Sequence, residues 1–183
     1  HEAVSFAADF FERMLQEEGG AGARRYLETR GIDDAAGARF RLGYAPDSWN
    51  ALREAAHRHG IDDDVLLEAG LIKQSERAGS EPYDRFRNRL IFPVAEVGGR
   101  IVAFGGRVLS SADQPKYLNS PETPIYHKGN LLYGLSWSRN AIRREGTALV
   151  VKGYMDYVAL VGRGIEHTVA GMGTAMTPEQ ANL

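Results

Sequence analysis

Apolar and polar positions change rhythm along this chain, and each change marks an element. Between Ser5 and about Glu18, Phe6, Phe10, Phe11, Met14 and Leu15 recur at helical spacing, and Gly19-Gly20 ends the run. A second helix is predicted from about Ala21 to Thr29, stopping at Gly31, and Asp33 or Asp34 is placed to cap a third leading to Phe40. Gly43-Tyr44-Ala45-Pro46-Asp47 reads as a turn-rich connection, after which Ser48 caps a helix running to about His59. Asp62, Asp63 and Asp64 precede Val65-Leu66-Leu67. Three adjacent acids suggest a metal site, but first-turn carboxylates that stabilise a helix N-terminus are the commoner reason for such a run.

The period then shortens. Leu90-Ile91-Phe92-Pro93-Val94 is a short apolar strand, Gly98-Gly99 a tight hairpin turn, and Arg100 to Leu109 the returning strand. Residues 110–128, rich in Ser, Pro and Asn, read as an ordered loop, and helical spacing returns weakly from about Leu131 to Arg144. Ala148-Leu149-Val150-Val151 is a buried-type strand followed at once by Gly153; Tyr154 to Gly162 is helical, His167 to Ala170 a second strand, and Gly171 to Thr174 a turn. Thr177 as N-cap and Pro178 at the first helical position open a last helix. This β–α–β–α order opens a parallel α/β sheet. It stops after two strands, too few to stand alone, so the expected class is α/β: an α+β part with a small antiparallel sheet, then the start of a parallel α/β domain.

Composition narrows the chemistry. The 183 residues are 43% hydrophobic and 25% charged, enough for one ordinary domain or a small one plus part of another. With no cysteine there is no disulfide scaffold, Cys-ligated zinc, Fe–S cluster or thiol nucleophile. No apolar run approaches the ~20 residues that span a bilayer. The start lacks the basic and apolar stretches of a signal peptide, and an initiator Met. A soluble, intracellular-type chain cut from something longer is the expectation. The net charge of −2 hides an uneven distribution: residues 1–84 carry 10 Lys+Arg against 17 Asp+Glu, residues 85–128 carry 7 against 3, and residues 129–183 carry 5 against 4. A local basic block in a mildly acidic chain points to an anionic ligand met at one place, not to a protein that coats DNA.

Within that block, Arg85, Arg87 and Arg89 alternate in Arg-Phe-Arg-Asn-Arg, predicted to place three guanidiniums on one face as a strand begins. Arg107 follows Gly105-Gly106, where missing side chains would let a ligand approach the backbone. Lys116, Tyr117, Asn119 and Lys128 come next. Guanidiniums match phosphates and Tyr stacks on a base or sugar; the alternative is a solvated strand face paired with acids, of which the block holds few. Asp156 stands just after a strand and a glycine, where α/β sheets place ligand sites, as a candidate metal ligand or a plain first-turn acid. Gly171-x-Gly173-Thr174 before a helix is a weak candidate for an anion-binding turn. His57-x-His59 faces opposite sides of a helix and does not suit a shared metal. There is no Walker A sequence, no GxGxxG and no recognisable Ser–His–Asp set.

The run from Tyr83 to Thr174 closely resembles the RNA-polymerase core of bacterial replicative DNA primases. The matching pieces are YDRFRNRLIFPV (83–94), GRIVAFGGRVL (99–109), PKYLNSPETPIYHKGNLLYGL (115–135), VVKGYMDYVAL (150–160) and GMGTAMT (171–177); RRYLETRGI (24–32) and RFRLGYAPDSW (39–49) look like the same family's helical N-terminal segment. The resemblance implies an N-terminal subdomain over residues 1–145 and, over 146–183, the truncated start of a topoisomerase–primase (Toprim) domain. It implies synthesis of a short RNA primer on a single-stranded DNA template from nucleoside triphosphates, with Mg²⁺ or Mn²⁺, in the bacterial cytoplasm at the replisome, and with no membrane. It implies a replicative helicase as partner through a C-terminal domain absent here, and an N-terminal zinc module that would also lie outside. Basic and polar residues thought to line the family's groove match Arg30, Arg85, Arg87, Arg107, Lys116, Tyr117, Asn119 and Lys128.

Two departures stand out. The family's strand normally reads Val-Val-Glu-Gly-Tyr-Met-Asp, and Lys152 stands where that Glu, the family's expected catalytic acid, would be. Lys152 reverses the charge and is placed to pair with Asp156 or with a phosphate. The family's Asp-x-Asp pair would lie beyond Leu183, leaving Asp156 as the one expected metal acid, so this stretch alone is expected not to polymerise. Three readings follow: a DNA primase with a divergent or inactive centre, a non-catalytic single-stranded DNA-binding module with a degenerate Toprim site, and a small-molecule α/β enzyme. The last would not need the long basic loop.

Overall fold

In the computed structural model, residues 1–77, 79–110, 114–172 and 176–183 are described. The chain opens with α1 (Glu2–Gln16), a 3-10 turn (Glu18–Gly20), α2 (Ala21–Thr29) and α3 (Asp34–Arg39), the last capped by Asp33 accepting from the Ala36 amide at 2.8 Å. Next come β1 (Gly43–Ala45), α4 (Ala51–Arg58), α5 (Asp63–Glu68), β2 (Ile72–Lys73), β3 (Tyr83–Asp84), β4 (Arg89–Ala95), β5 (Ile101–Val108) and β6 (Tyr117–Asn119). A 3-10 turn (Lys128–Asn130) leads to α6 (Leu135–Glu145), β7 (Leu149–Val151), α7 (Tyr154–Val161), β8 (Thr168–Ala170) and α8 (Pro178–Ala181). Thr177 caps α8 in a capping box with Gln180. Among the described residues no helix is long and apolar enough to cross a membrane.

The main sheet is antiparallel in the order β1-β4-β5-β6. It is covered on both faces, which is why β4 reads as an unbroken apolar run rather than an alternating one. Leu90, Phe92 and Val94 pack into one core with α2, α3 and α7; Ile91 and Ala95 pack into another with α1, α4 and α5, where Phe11, Phe86 and Phe104 meet edge to face. β7 and β8 pair in parallel, as the β–α–β pattern requires. They join the main body at a seam of tyrosines: Tyr133 and Ala170 exchange backbone hydrogen bonds of 2.9 Å, and Tyr154 stacks on Phe92 at 5.2 Å.

Four expectations need correction. Gly43-Tyr44-Ala45 is a strand, not a turn: β1 pairs with residues 89–91 of β4, and Gly43 lies so close to Phe11 that a Cβ would sit 2.6 Å from the Phe11 Cβ. A three-residue strand is defined by its partner, which local sequence does not display. The loop at 110–128 likewise contains β6, paired with Gly105, Gly106 and Arg107. β7 is not buried: Leu149 and Val150 are 39% and 47% exposed, because β8 is its one strand partner among the described residues. Ser48 does not cap α4, whose N-cap is Asn50 without a side-chain bond. Asp84 does that work from β3, accepting from the amides of Leu52 at 2.7 Å and Arg53 at 3.0 Å.

Asp84 has a pH signature. Burial pushes its carboxyl from an ordinary 3.8 up to about 6, against the two amide donors and the charges of Arg87 and Arg53. The fold therefore holds a proton that the unfolded chain has released, so this group draws stability down as pH rises from roughly 4 to 6. In thermal melts between about pH 4 and 7, the advantage of the protein over its Asp84→Asn variant is expected to shrink up to pH ~6 and then level off. An advantage that stays constant or grows would contradict the burial-dominated shift.

Candidate functional site

A cavity of about 500 Å³ opens where the end of β5, β6, α2 and the head of α7 meet. Gly105 and Gly106 do not admit a ligand, as their sequence context suggested. Gly105 lies under the Tyr154 ring and Gly106 against Phe86, so the missing side chains let protein parts approach. Tyr154, its phenol held neutral by burial, donates to Asn119 Oδ1 at 2.6 Å, and Asn119 Nδ2 donates to the Met172 carbonyl at 3.0 Å. With both ends of its amide engaged, Asn119 is a strut that fixes the cavity floor.

Arg107 closes one wall. Its guanidinium lies 4.5 Å from the Tyr26 ring centre and 5.7 Å from that of Tyr117, and its buried Nε has no hydrogen-bond partner. Arg30, one helical turn beyond Tyr26, faces the same ring at 5.2 Å. Burial raises the Tyr117 phenol above its ordinary value, opposed by the nearby Arg107 charge. Lys116 lines the cavity beside Tyr117, and Lys152 and Asp156 line it at the head of α7. The expected Lys152–Asp156 pair is not formed: among the described residues neither takes part in an ion pair.

The donors among the described residues do not by themselves make a divalent-cation site. Asp156 is the one carboxylate that the described residues place on the cavity, against Arg30, Arg107, Lys116 and Lys152. Among the described residues no three His, Asp or Glu converge as metal ligands. The candidate anion turn at Gly171-x-Gly173-Thr174 includes residues 173 and 174, which lie outside the described residues.

Arg85 and Arg87 are not in this cavity. They line a second one of about 390 Å³, with Arg89, Asp47 and Gln114, on the other side of β6. The three arginines thus share one cavity, though not by strand alternation: β4 begins only at Arg89, and Asn88 adopts a left-handed conformation, φ 48°, between Arg87 and Arg89. Arg87 instead lies 4.1 Å from the ring centre of Trp49, which is 64% exposed, and 5.0 Å from that of Tyr83. Arg85 Nε donates to the Asn119 carbonyl at 3.3 Å, tying the two cavities together through β6. Lys128 stands in the 3-10 turn outside both cavities. Sequence reading missed Tyr26 and Trp49; the helical spacing of Tyr26 to Arg30 was a signal for the first, and Trp49 had none.

Comparison with known proteins comes on top of this geometry. The family described as "DNA primase catalytic core, N-terminal domain" matches residues 10–139. The chain is 48% identical over 180 residues to a DNA primase of Halalkalibacterium halodurans, covering 97% of this chain and 30% of that protein. It is 42% identical over 174 residues to the DNA primase of Escherichia coli K12, covering 95% and 29%. The RNA polymerase domain of Mycobacterium tuberculosis primase DnaG, solved with a double-stranded DNA oligomer bearing a 6-nucleotide overhang, superposes with TM-score 0.92 at 36% identity, over 99% of this chain and 56% of that one. A DnaG primase catalytic domain bound to single-stranded DNA superposes with TM-score 0.87 at 40% identity, over 99% and 57%. The chain thus spans 30% of the length of the first of these curated relatives.

Proposed function

Because this chain belongs to the bacterial DNA primase family, as the N-terminal part of its catalytic core, we propose that the protein makes short RNA primers on single-stranded DNA from nucleoside triphosphates. The observation that carries the reading is the convergence of Arg30, Arg107, Lys116 and Tyr117 on one cavity at the seam between the antiparallel sheet and the β7–α7–β8 unit. Residues 1–145 form the binding subdomain and 146–183 begin the Toprim domain, a division supported by the parallel pairing of β7 with β8. Nucleotide enters the seam cavity. The template strand runs over β6, between the cavity of Arg107 and that of Arg85 and Arg87. Phosphoryl transfer asks the protein mainly to hold the triphosphate in line and to neutralise developing charge, which cations of this number suit. The protein works in the bacterial cytoplasm at the replisome, with the replicative helicase as partner.

A second reading is favoured by one observation. Among the described residues the cavity holds a lone carboxylate and Lys152, which suits a module that binds single-stranded DNA without acting on it. Both readings expect salt-dependent binding. In the full-length protein, Lys116→Ala is expected to weaken single-stranded DNA binding about 5–10-fold and to flatten the salt dependence by ~0.7–1 in log–log slope. Binding indifferent to salt would remove the cations from the interface. Template-dependent ribonucleotide incorporation by the full-length protein and its Lys152→Glu variant separates the readings: no product from either leaves the binding module.

A further inference from the structure

The turn that carries Lys128 is held from two sides. Glu122 Oε1 accepts from the Lys128 amide at 3.1 Å, and Glu122 Oε2 lies 3.1 Å from His127 Nδ1. The carbonyls of the turn are taken by α8. Gln180 Nε2 donates to the Lys128 carbonyl at 3.0 Å and to that of Leu131 at 2.9 Å, while the Thr177 hydroxyl donates to the Gly129 carbonyl at 2.7 Å. The same two side chains close the capping box: Gln180 Oε1 accepts from the Thr177 amide and Thr177 Oγ1 from the Gln180 amide, each at 3.1 Å. Gln180 is 3% exposed, with both ends of its amide engaged. A satisfied buried amide fixes one geometry, where an apolar side chain of similar volume would fill the space and leave the carbonyls unheld. The Lys128 side chain is partly exposed, and its ammonium is in no ion pair among the described residues. Both flanks of its backbone are anchored, and its charge is left for something outside the chain.

We propose that Gln180 and Thr177 are positioning residues for Lys128: acting through the carbonyls of its turn, they hold its ammonium where a phosphate of the single-stranded DNA passes. The proposal rests on the reading of this protein as one that binds single-stranded DNA, with Lys128 among its contacts. Neither α8 side chain carries charge, and neither has to touch nucleic acid to act. A lysine has a flexible four-carbon stem, and ordering it on a phosphate costs rotamer freedom. An anchored backbone limits that cost by leaving the stem alone to be ordered. The same segment of chain also serves the seam cavity, where the Met172 carbonyl accepts from Asn119. Support for the cavity floor and for the Lys128 turn therefore comes from one stretch, residues 172–180.

Anisotropy titrations of the full-length protein with a labelled single-stranded oligodeoxynucleotide, over a series of KCl concentrations, test this. Lys128→Ala is expected to weaken binding about 5–10-fold and to lower the log–log salt slope by about 0.7, the value of one phosphate contact. Gln180→Met removes no charge, yet it is expected to lower the slope by about 0.4–0.7, and to lower it no further in protein that already carries Lys128→Ala. A purely structural role would lower Tm and leave the slope alone, because the slope counts phosphates neutralised. Thr177→Val, which loses the bond to Gly129, is expected to follow Gln180→Met, and Thr177→Ser, which keeps the hydroxyl, to restore the slope. That pair makes the comparison independent of whether Gln180→Met folds. An unchanged slope in the α8 variants beside a lowered one in Lys128→Ala overturns the proposal. So does a loss of equal size with and without the Lys128 side chain, which would place the effect at another cation. A slope untouched by Lys128→Ala overturns the reading of Lys128 beneath the proposal, whatever the α8 variants do.

Discussion

Full-length protein carrying Lys152→Glu is expected to make primers at least ~100-fold faster than the protein with Lys152, the usual scale for supplying a missing catalytic acid or base. The substitution acts at one point. Position 152 is exposed at the end of β7, one residue before the Gly153 cap of α7, and lines the same cavity as Asp156. Among the described residues, Glu there would give the cavity two carboxylates against three cations in place of one against four. No core contact is disturbed, because the side chain is not packed, so folding is expected to be unchanged by thermal melt. Equal and robust synthesis by both forms would show that position 152 is not decisive.

The second large effect concerns the seam. Gly134, at the N-cap of α6, has φ +87°, and a Cβ added there would run into the ring of Tyr157. Tyr157 is fully buried, shares a hydrogen bond of 3.1 Å with Ser138 and donates to the Gly134 carbonyl at 3.2 Å, so the ring has nowhere to retreat. Left-handed strain of ~1–2 kcal/mol and overpacking of ~1–3 kcal/mol then add. Gly134→Ala is expected to cost roughly 3 kcal/mol and to lower Tm by about 6–12 °C for a chain of this size. Gly146 provides the contrast. It caps the other end of α6 at φ +68° with nothing within 4 Å of an added Cβ. Gly146→Ala is expected to cost only ~1 kcal/mol. Equal melting shifts from the two substitutions would mean that Tyr157 yields and the seam is soft.

What sequence displays, and what it hides, follows from the range of the interactions. α1, α2 and α7 are legible because their apolar faces repeat within a few residues. β1 and β6 are three residues each and owe their existence to β4 and β5, so no local window reveals them. The cap of α4 comes from Asp84, more than thirty residues along the chain, and Ser48 was a plausible local substitute. The cavity divides in the same way. Arg107 and Tyr117 face each other across β5 and β6, so their association was readable from one hairpin. Arg30 arrives at the end of α2 on its ring partner Tyr26: the family resemblance marked Arg30, and their helical spacing was the one signal for Tyr26. Asn119 carries the right chemistry for a ligand contact, yet its amide is spent on Tyr154 and Met172. That distinction exists only in three dimensions.

β6 has a consequence for how this chain can vary in length. Tyr117 and Asn119 line one cavity while Leu118, between them, lines the other, so a strand three residues long is the partition between two basic compartments. Side chains alternate along a strand, so a shift of one residue in the pairing with β5 would exchange the two sets. Tyr117 would then leave Arg107 for the compartment of Arg85, and an aliphatic side chain would face the seam. Extra or missing residues ahead of Lys116 are tolerable only while the connection absorbs them. A single insertion carried into the strand reverses the wiring of both compartments at once, whereas one carrying two residues restores the parity.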